Sequence, residues 1–297
     1  MQKITPFLWF NDNAIEATNF YLSVFPNSKT LSINGYERET PPSPNVSGSV
    51  RYTTFELEGQ VFNALNGGPY FKITPAISFF VNCETDEEID SLWEKLSEGG
   101  TALMGLDQYP FSEKFGWIQD KFGVSWQLNL AKRIQKITPF MMFFGDQHGK
   151  AEEAMKFYTS LFNNSHIGEI ERFGSGEIGV EGTVKLAAFY LEGQEFLTND
   201  SNFPHQFTFT EGLSFFVNCE TQEEVDELWG KLSVGGTIQQ CGWLKDQFGV
   251  SWQIIPVLLG ELLNDPDPVK SKRVMEAMLQ MKKIDSEKLK KAYDGQI

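Results

Sequence analysis

Two amides on repeated strands are the first candidates for chemistry. Gln127 closes residues 116–127, GWIQDKFGVSWQ, and Gln253 closes a near-copy at 242–253, GWLKDQFGVSWQ. Each copy reads as strand, tight turn, strand: Trp117 and Ile118 are apolar, Asp120 to Gly123 supply turn chemistry, and Val124 to Leu128 resume a β-prone run. Side chains alternate along a strand, so Ser125, Gln127 and Asn129 share one face, and Val124, Trp126 and Leu128 the other. Trp126 is expected under a helix, with Gln127 pointing into whatever the sheet encloses. Asn63 and Asn66, beside Gly67 and Gly68, are the next polar candidates; Thr198 and Asn199 are their nearest counterparts. A buried amide must find partners, so these side chains either bond backbone or face a ligand. Trp9, Trp117 and Trp243 are candidates to line a pocket for a flat or apolar ligand, whereas Trp93, Trp126, Trp229 and Trp252 sit at core-like positions. Cys241 lies beside Trp243 and Lys245, but its counterpart in the first copy is Phe115, and it is read as structural rather than nucleophilic.

These residues sit in a duplicated chain. Ile4-Thr5-Pro6-Phe7 recurs as Ile137-Thr138-Pro139-Phe140, and residues 78–85, SFFVNCET, recur letter for letter at 214–221. Residue 78 matches 214 but residue 116 matches 242, so the first repeat carries 10 more residues, within 102–115. Ile4 to Phe10 is a strand. Asn13 and Glu16 have N-cap and N3 spacing before a helix that Pro26-Asn27 stops. Thr85 and Glu88 form a capping box for a second helix, with Ile89, Leu92, Trp93 and Leu96 inward and Gly99-Gly100 at its end. Each repeat reads β-α-β-β-β twice. The expectation is an α+β fold: four βαβββ modules in two tandem units with curled, mainly antiparallel sheets, each pair of modules enclosing a cup. Domain boundaries fall at 1–133, 134–258 and a helical tail, 259–297, whose stripe Val274, Ala277, Met278 and Met281 packs on the acidic body. The proline-bearing loop 37–48 reads as a long hairpin loop, a lid being the other reading.

Composition excludes more than it identifies. A formal charge of −15 argues against nucleic-acid and anionic-membrane partners. No run is apolar enough to span a bilayer, and residues 1–15 lack a signal-peptide pattern. Of the 3 cysteines, Cys83 and Cys219 are repeat equivalents at strand ends and read as buried thiols. These features together point to the cytoplasm. The literal G-x-G-x-x-G at 174–179 precedes a strand rather than a helix and reads as a hairpin turn.

Paired βαβββ modules with Asp-x-Phe-Gly-x-x-Trp-Gln before the last strand resemble the vicinal oxygen chelate superfamily, which includes glyoxalase I, extradiol dioxygenases, and bleomycin and fosfomycin resistance proteins. Ala64-Leu65-Asn66-Gly67-Gly68-Pro69, residues 78–85, Trp93-Glu94-Lys95-Leu96, residues 241–253 and the tail 265–283 are similar to its PhnB-like branch, filed as "3-demethylubiquinone-9 3-methyltransferase-like". The resemblance implies glyoxalase/bleomycin-resistance-like units, a pseudo-dimer within one chain, and further pairing as a homodimer. It also implies a divalent metal held by His, Gln or Glu in the cup. The matching positions here are Pro6 or Pro139, Ala76 or Gly212, and Gln127 or Gln253, too few donors to hold an ion. His148, His166 and His205 lie in loops or at a strand start. The expectation is therefore no metal, no cofactor, and a small organic ligand as partner, held by a resistance-type sequestering protein or a degenerate enzyme. The alternatives are a glyoxalase- or dioxygenase-type enzyme with an atypical site at Gln127 or Gln253, and a scaffold whose cups are filled by Phe10, Phe80, Phe143 and Phe216. The methyltransferase label finds no support, because neither a parallel sheet nor a Gly-rich first loop is present.

Overall fold

Capping and turn signals set the element boundaries. The computed structural model describes residues 2–36, 50–132 and 135–297, so the loop 37–48 lies outside the described residues. The first module is β1 (Ile4–Phe10), α1 (Ala14–Val24), β2 (Ser28–Tyr36), β3 (Val50–Leu57) and β4 (Gln60–Asn66). The second is β5 (Ile77–Cys83), α2 (Asp86–Ser97), β6 (Thr101–Tyr109), β7 (Ser112–Gln119) and β8 (Ser125–Leu130). The third is β9 (Ile137–Phe143), α3 (Ala151–Thr159), β10 (His166–Arg172), β11 (Val184–Leu191) and β12 (Gln194–Asp200). The fourth is β13 (Leu213–Cys219), α4 (Gln222–Leu232), β14 (Thr237–Ile238), β15 (Trp243–Lys245) and β16 (Ser251–Pro256). The tail forms α5 (Val257–Leu263), α6 (Pro268–Leu279) and α7 (Ser286–Tyr293). This is the α+β, four-module architecture that the repeats imply. No described helix is long and apolar enough to cross a membrane.

The capping box of α2 is present: Thr85 Oγ1 accepts from Glu88 N, and Glu88 Oε2 accepts from Glu84 N. The cap expected for α1 is not. Asn13 makes no side-chain capping bond; Asn66 Oδ1, on β4, accepts from Ala14 N instead. Asp200 does the same for α3, accepting from Gly149 N and Ala151 N. The side-chain oxygen that accepts at the helix start thus comes from a distant strand, which local spacing does not reveal. The ten extra residues of the first repeat lengthen the β6–β7 hairpin, whose counterparts β14 and β15 have 2 and 3 residues.

The backbone divides into two compact units, one of residues 6–213 and one of Met1–Thr5 with Ser214–Ile297. The first contains a complete eight-stranded sheet in the order β10-β11-β12-β9-β5-β8-β7-β6. Its centre is the antiparallel pair β5–β9, with Phe79 opposite Pro139 and Phe80 opposite Thr138. The second module of one repeat therefore shares its sheet with the first module of the next. Expecting each repeat to enclose its own cup misses this, because both pairings satisfy the same alternation of side chains. The same unit holds β4-β3-β2 and β1 from Pro6 onward; the other holds β14-β15-β16 and β13 from Ser214 onward.

Trp126 packs under a helix as its alternation predicts. Its ring lies 5.4 Å from Tyr21 and 5.2 Å from Phe25. What positions it is Asp120. One carboxylate oxygen accepts from Phe122 N and Val124 N at 2.9 and 3.0 Å; the other accepts from Trp126 Nε1 and Tyr21 Oη, both at 2.8 Å. Gly123, at φ +89, turns the chain back between the strands, a conformation that costs glycine little. Asp246 repeats the arrangement with Phe248 N, Val250 N and Trp252 Nε1. Burial pushes the Asp120 carboxyl up, against the pull of its four donors, and pushes the Tyr21 hydroxyl well up. Asp120→Ala strands these buried donors and should lower stability by about 3 kcal/mol or more. Lys121→Ala, in the same turn, should cost under about 1 kcal/mol. Urea unfolding of both variants checks this; equal losses would refute the anchoring role of Asp120.

Candidate functional site

The face of the eight-stranded sheet that bears Gln127, the one expected to be concave, can be read from its register. Trp117 lies opposite Gln127, Gln127 opposite Phe80, and Phe80 opposite Thr138, so these four form a row across β7, β8, β5 and β9. Gln127 does turn toward this face, but its Nε2 donates to Ser78 Oγ at 2.7 Å. Trp117 is buried and donates to Ser125 Oγ at 2.8 Å. With Phe115, Phe140, Met142 and Leu197 it forms an apolar cluster, against which Phe80, Phe144 and Phe207 pack. The middle of the face is thus filled by side chains.

The remaining sequence candidates separate. Gln253 donates to Ser214 Oγ at 3.0 Å, and Trp243 lies opposite it in the β15–β16 register. Asn63 is buried and accepts from Thr54 Oγ1 at 2.9 Å. Asn66 is taken up in capping α1. Trp9 donates to Gly68 O at 2.8 Å and lies over Gly67, where an added Cβ would come within 2.2 Å of its ring. Of the phenylalanines expected to fill cups, Phe80 faces the cluster. Phe143 and Phe10 instead occupy the opposite parity and meet Phe209 and Phe122. Trp93 is half-buried across Gly116 rather than enclosed in the core.

Beyond the filled centre, toward β10, the concave face opens into a groove of about 630 Å³. Leu186, Ala188 and Leu197 form an apolar floor, with Glu169, Glu171, Tyr190 and Glu195 on the walls. Glu195 is held at one end: Tyr190 Oη donates to Oε1 at 3.1 Å and Thr138 Oγ1 reaches Oε2 at 3.4 Å. Gln135 brackets its backbone, donating to Glu195 O at 3.0 Å and accepting from Glu195 N at 3.1 Å. His166 stacks on Tyr190 with ring centres 4.5 Å apart. Lys185 pairs with Glu171 at 2.8 Å. Sequence reasoning missed Glu195 and Tyr190. The available signal was a repeat mismatch: Glu195 follows Leu191-Glu192-Gly193-Gln194, where the first repeat has Val61 after Leu57-Glu58-Gly59-Gln60.

The residues at the superfamily metal positions do not fit a metal. Pro139 has the parity of Phe143, away from the concave row. Ala76 carries no donor, and Gly212 lies so close to Lys72 that a Cβ would come within 2.3 Å of its backbone. The Gln127 amide is engaged with Ser78. Among the described residues no three His, Cys, Asp or Glu side chains converge as a metal site. His205 bonds Ser201 Oγ at 3.0 Å among Phe144 and Phe207, and burial lowers its pKa. The loop 174–179 joins antiparallel β10 and β11, so it is a hairpin connection and offers no helix N-terminus to a phosphate.

Paired βαβββ modules with such concave faces place the chain among the glyoxalase-like folds. More narrowly, the chain belongs to the family described as 3-demethylubiquinone-9 3-methyltransferase, which matches it twice, over residues 2–129 and 135–255: it is a tandem PhnB-like member of the vicinal oxygen chelate superfamily. The PhnB protein of Bacillus cereus is 47% identical, covering 44% of this chain and 100% of its own, with a TM-score of 0.41. A protein from Staphylococcus aureus is 33% identical over 44% of this chain and 98% of its own, with a TM-score of 0.19. Glyoxalase I from Zea mays covers 84% of this chain and 90% of its own at 12% identity and a TM-score of 0.54, a likeness of fold alone. No functionally curated protein sequence matches.

Cys83 and Cys219 have the parity of Phe79 and Phe215, away from the rows that carry Gln127 and Gln253. Burial, then nearby Glu88, pushes Cys83 up to about 12; burial, then Glu224, does the same to Cys219. Burial also raises Cys241. A raised pKa means less thiolate at any given pH, and thiolate is the reactive form. At pH 8 the native protein should leave Cys83 and Cys219 unmodified by an aromatic disulfide reagent, with Cys241 slower than a free thiol. All 3 thiols should react in denaturant. Rapid native labelling of Cys83 would contradict the closed end of β5.

Proposed function

We propose that the protein binds a small organic molecule in the groove over β10–β12, without a metal ion at the superfamily positions. The observation that carries this reading is the groove itself: an apolar floor of Leu186, Ala188 and Leu197 leading to a carboxylate, Glu195, held by Tyr190 and Thr138. Small-molecule sites generally combine an apolar bed with a few placed polar groups. Glu169, Glu171 and Glu195 make the lining more polar than apolar, which suits a small organic body with hydrogen-bond-donating groups directed at Glu195. Family membership supports a ligand-binding fold and leaves the chemistry to the residues. The methyl transfer in the family's description has no counterpart in the groove, which lacks a glycine-rich strand-to-helix turn for a methyl donor. A scaffold is the second reading, favoured by the cluster of Phe115, Trp117, Phe140 and Met142 that fills the centre of the same face.

One experiment separates them. Aromatic amines, quinones and thiol conjugates are screened by thermal shift in buffer containing a chelator. A ligand held at a hundred times its Kd stabilises the fold by about 2.7 kcal/mol. At least one probe class should raise Tm in the parent protein, and the shift should vanish in Ala188→Trp, which fills the bed. No shift from any probe would favour the scaffold. A shift that needs added metal would overturn the metal-free reading.

A further inference from the structure

The fourth module lacks what the second has. In the second, the long β6–β7 hairpin brings Phe115 over the concave face, where it meets Phe80 at 6.2 Å. In the fourth, the hairpin is short and Cys241 takes the place of Phe115. The counterpart of Phe80 is Phe216, opposite Gln253 on the face away from Trp252 and Phe215. Phe216 is nevertheless half-buried. It packs against a cluster of Ile255, Leu259, Val274, Ile284 and Leu289, four of them from the tail. Val274, Ile284 and Leu289 are each 0% exposed.

The tail is also tied to the module through its backbone. Cys241 N donates to Met281 O and Gly242 N to Lys282 O, both at 2.7 Å. To do so, Cys241 and Gly242 adopt positive φ, +59 and +81. A Cβ at Gly242 would come within 2.5 Å of Ile255 Cδ1 and 3.2 Å of Ile284 Cγ1, so glycine is required where tail and strand meet. Gln222 clasps the segment, donating to Ile284 O at 3.0 Å and accepting from Ser286 N at 2.8 Å. Within the tail, Arg273 Nε donates to Ala292 O at 2.9 Å, and Tyr293 Oη donates to Asp265 at 2.6 Å, so α6 and α7 hold as one body.

We propose that the C-terminal tail is a built-in occupant of the fourth module's concave face, standing in for the hairpin residues that module lacks and closing the face to ligands. Small-molecule binding is then excluded from the face bearing Gln253 and Phe216; that it occurs instead over β10–β12 rests on the function proposed above.

Two measurements on the full chain test the occupancy. Hydrogen exchange of the native protein should find the amides of Cys241 and Gly242 as protected as that of Ile254, which donates to Gly242 O at 2.8 Å. Exchange a hundredfold faster than Ile254 would mean that the tail lifts away, and would overturn the proposal. In the second, Val274→Asp loosens the tail and anilinonaphthalene sulfonate reports the uncovered face. Emission should rise several-fold over the parent and over the exposed control Glu276→Lys. Tail release, seen by limited proteolysis, without that rise would overturn the proposal. Should Val274→Asp fail to fold, the exchange measurement decides alone. Neither arm uses a groove ligand, and Ala188→Trp should change neither. A failed ligand screen and a failed tail are therefore distinguishable.

Discussion

A buried carboxylate with its hydrogen bonds filled is the constraint on which this architecture depends. Asp120 is 4% exposed and would be costly to enclose alone. Its two oxygens gather the amides of its own turn, the indole of Trp126 and the hydroxyl of Tyr21. Turn, strand and helix are thus fixed at one point. Because Trp126 is pinned to the outer face, the period of a strand leaves Gln127 no choice but the concave one. Asp246 imposes the same order on Trp252 and Gln253. Facing inward is not the same as being available, however. Both amides end on a serine hydroxyl of the neighbouring strand. The repeated motif that dominates the sequence is first of all a folding device.

The two concave faces described have each been closed in a different way. At β5–β9 aromatic and methionine side chains meet and displace solvent, and a groove lies beyond them toward β10. At β13–β16 the side chains are too few, and helices from the end of the chain complete the cover. Apolar surface of this kind is not left to water when the chain can supply a partner. Duplication relaxed the demand that both copies keep the same face; the differences at Cys241 against Phe115 and Glu195 against Val61 record where they have parted.

Much of this was legible in the sequence. The α2 capping box, the turn at Asp120 to Gly123, the placement of Trp126 and the ten-residue difference between repeats all follow from local spacing, and the structure agrees at each. What escaped was non-local. Asn66 could bond backbone or face a ligand; that its partner is the first amide of a helix distant in sequence is not written in local spacing. The scaffold alternative placed Phe143 in a cup, yet one residue of parity in β9 turns it outward. The sharing of a sheet between repeats escaped for a deeper reason. When two halves carry the same strand signature, the pattern states which residues face inward but not which half supplies the neighbour. Glu195 was hidden because attention fell on what the repeats share, whereas a site on one face only is written in what they do not.

The β5–β9 seam has a consequence for the covalent order of the chain. A single repeat released from its mate would keep β8 beside β5 but expose the other edge, a row of unpaired amides and carbonyls prone to indiscriminate association. Joining two copies end to end supplies the correct neighbour at an effective concentration on the order of millimolar, whatever the abundance of the protein. Tandem fusion thereby makes completion of that sheet a unimolecular event, and leaves each copy free to drift without having to recognise itself.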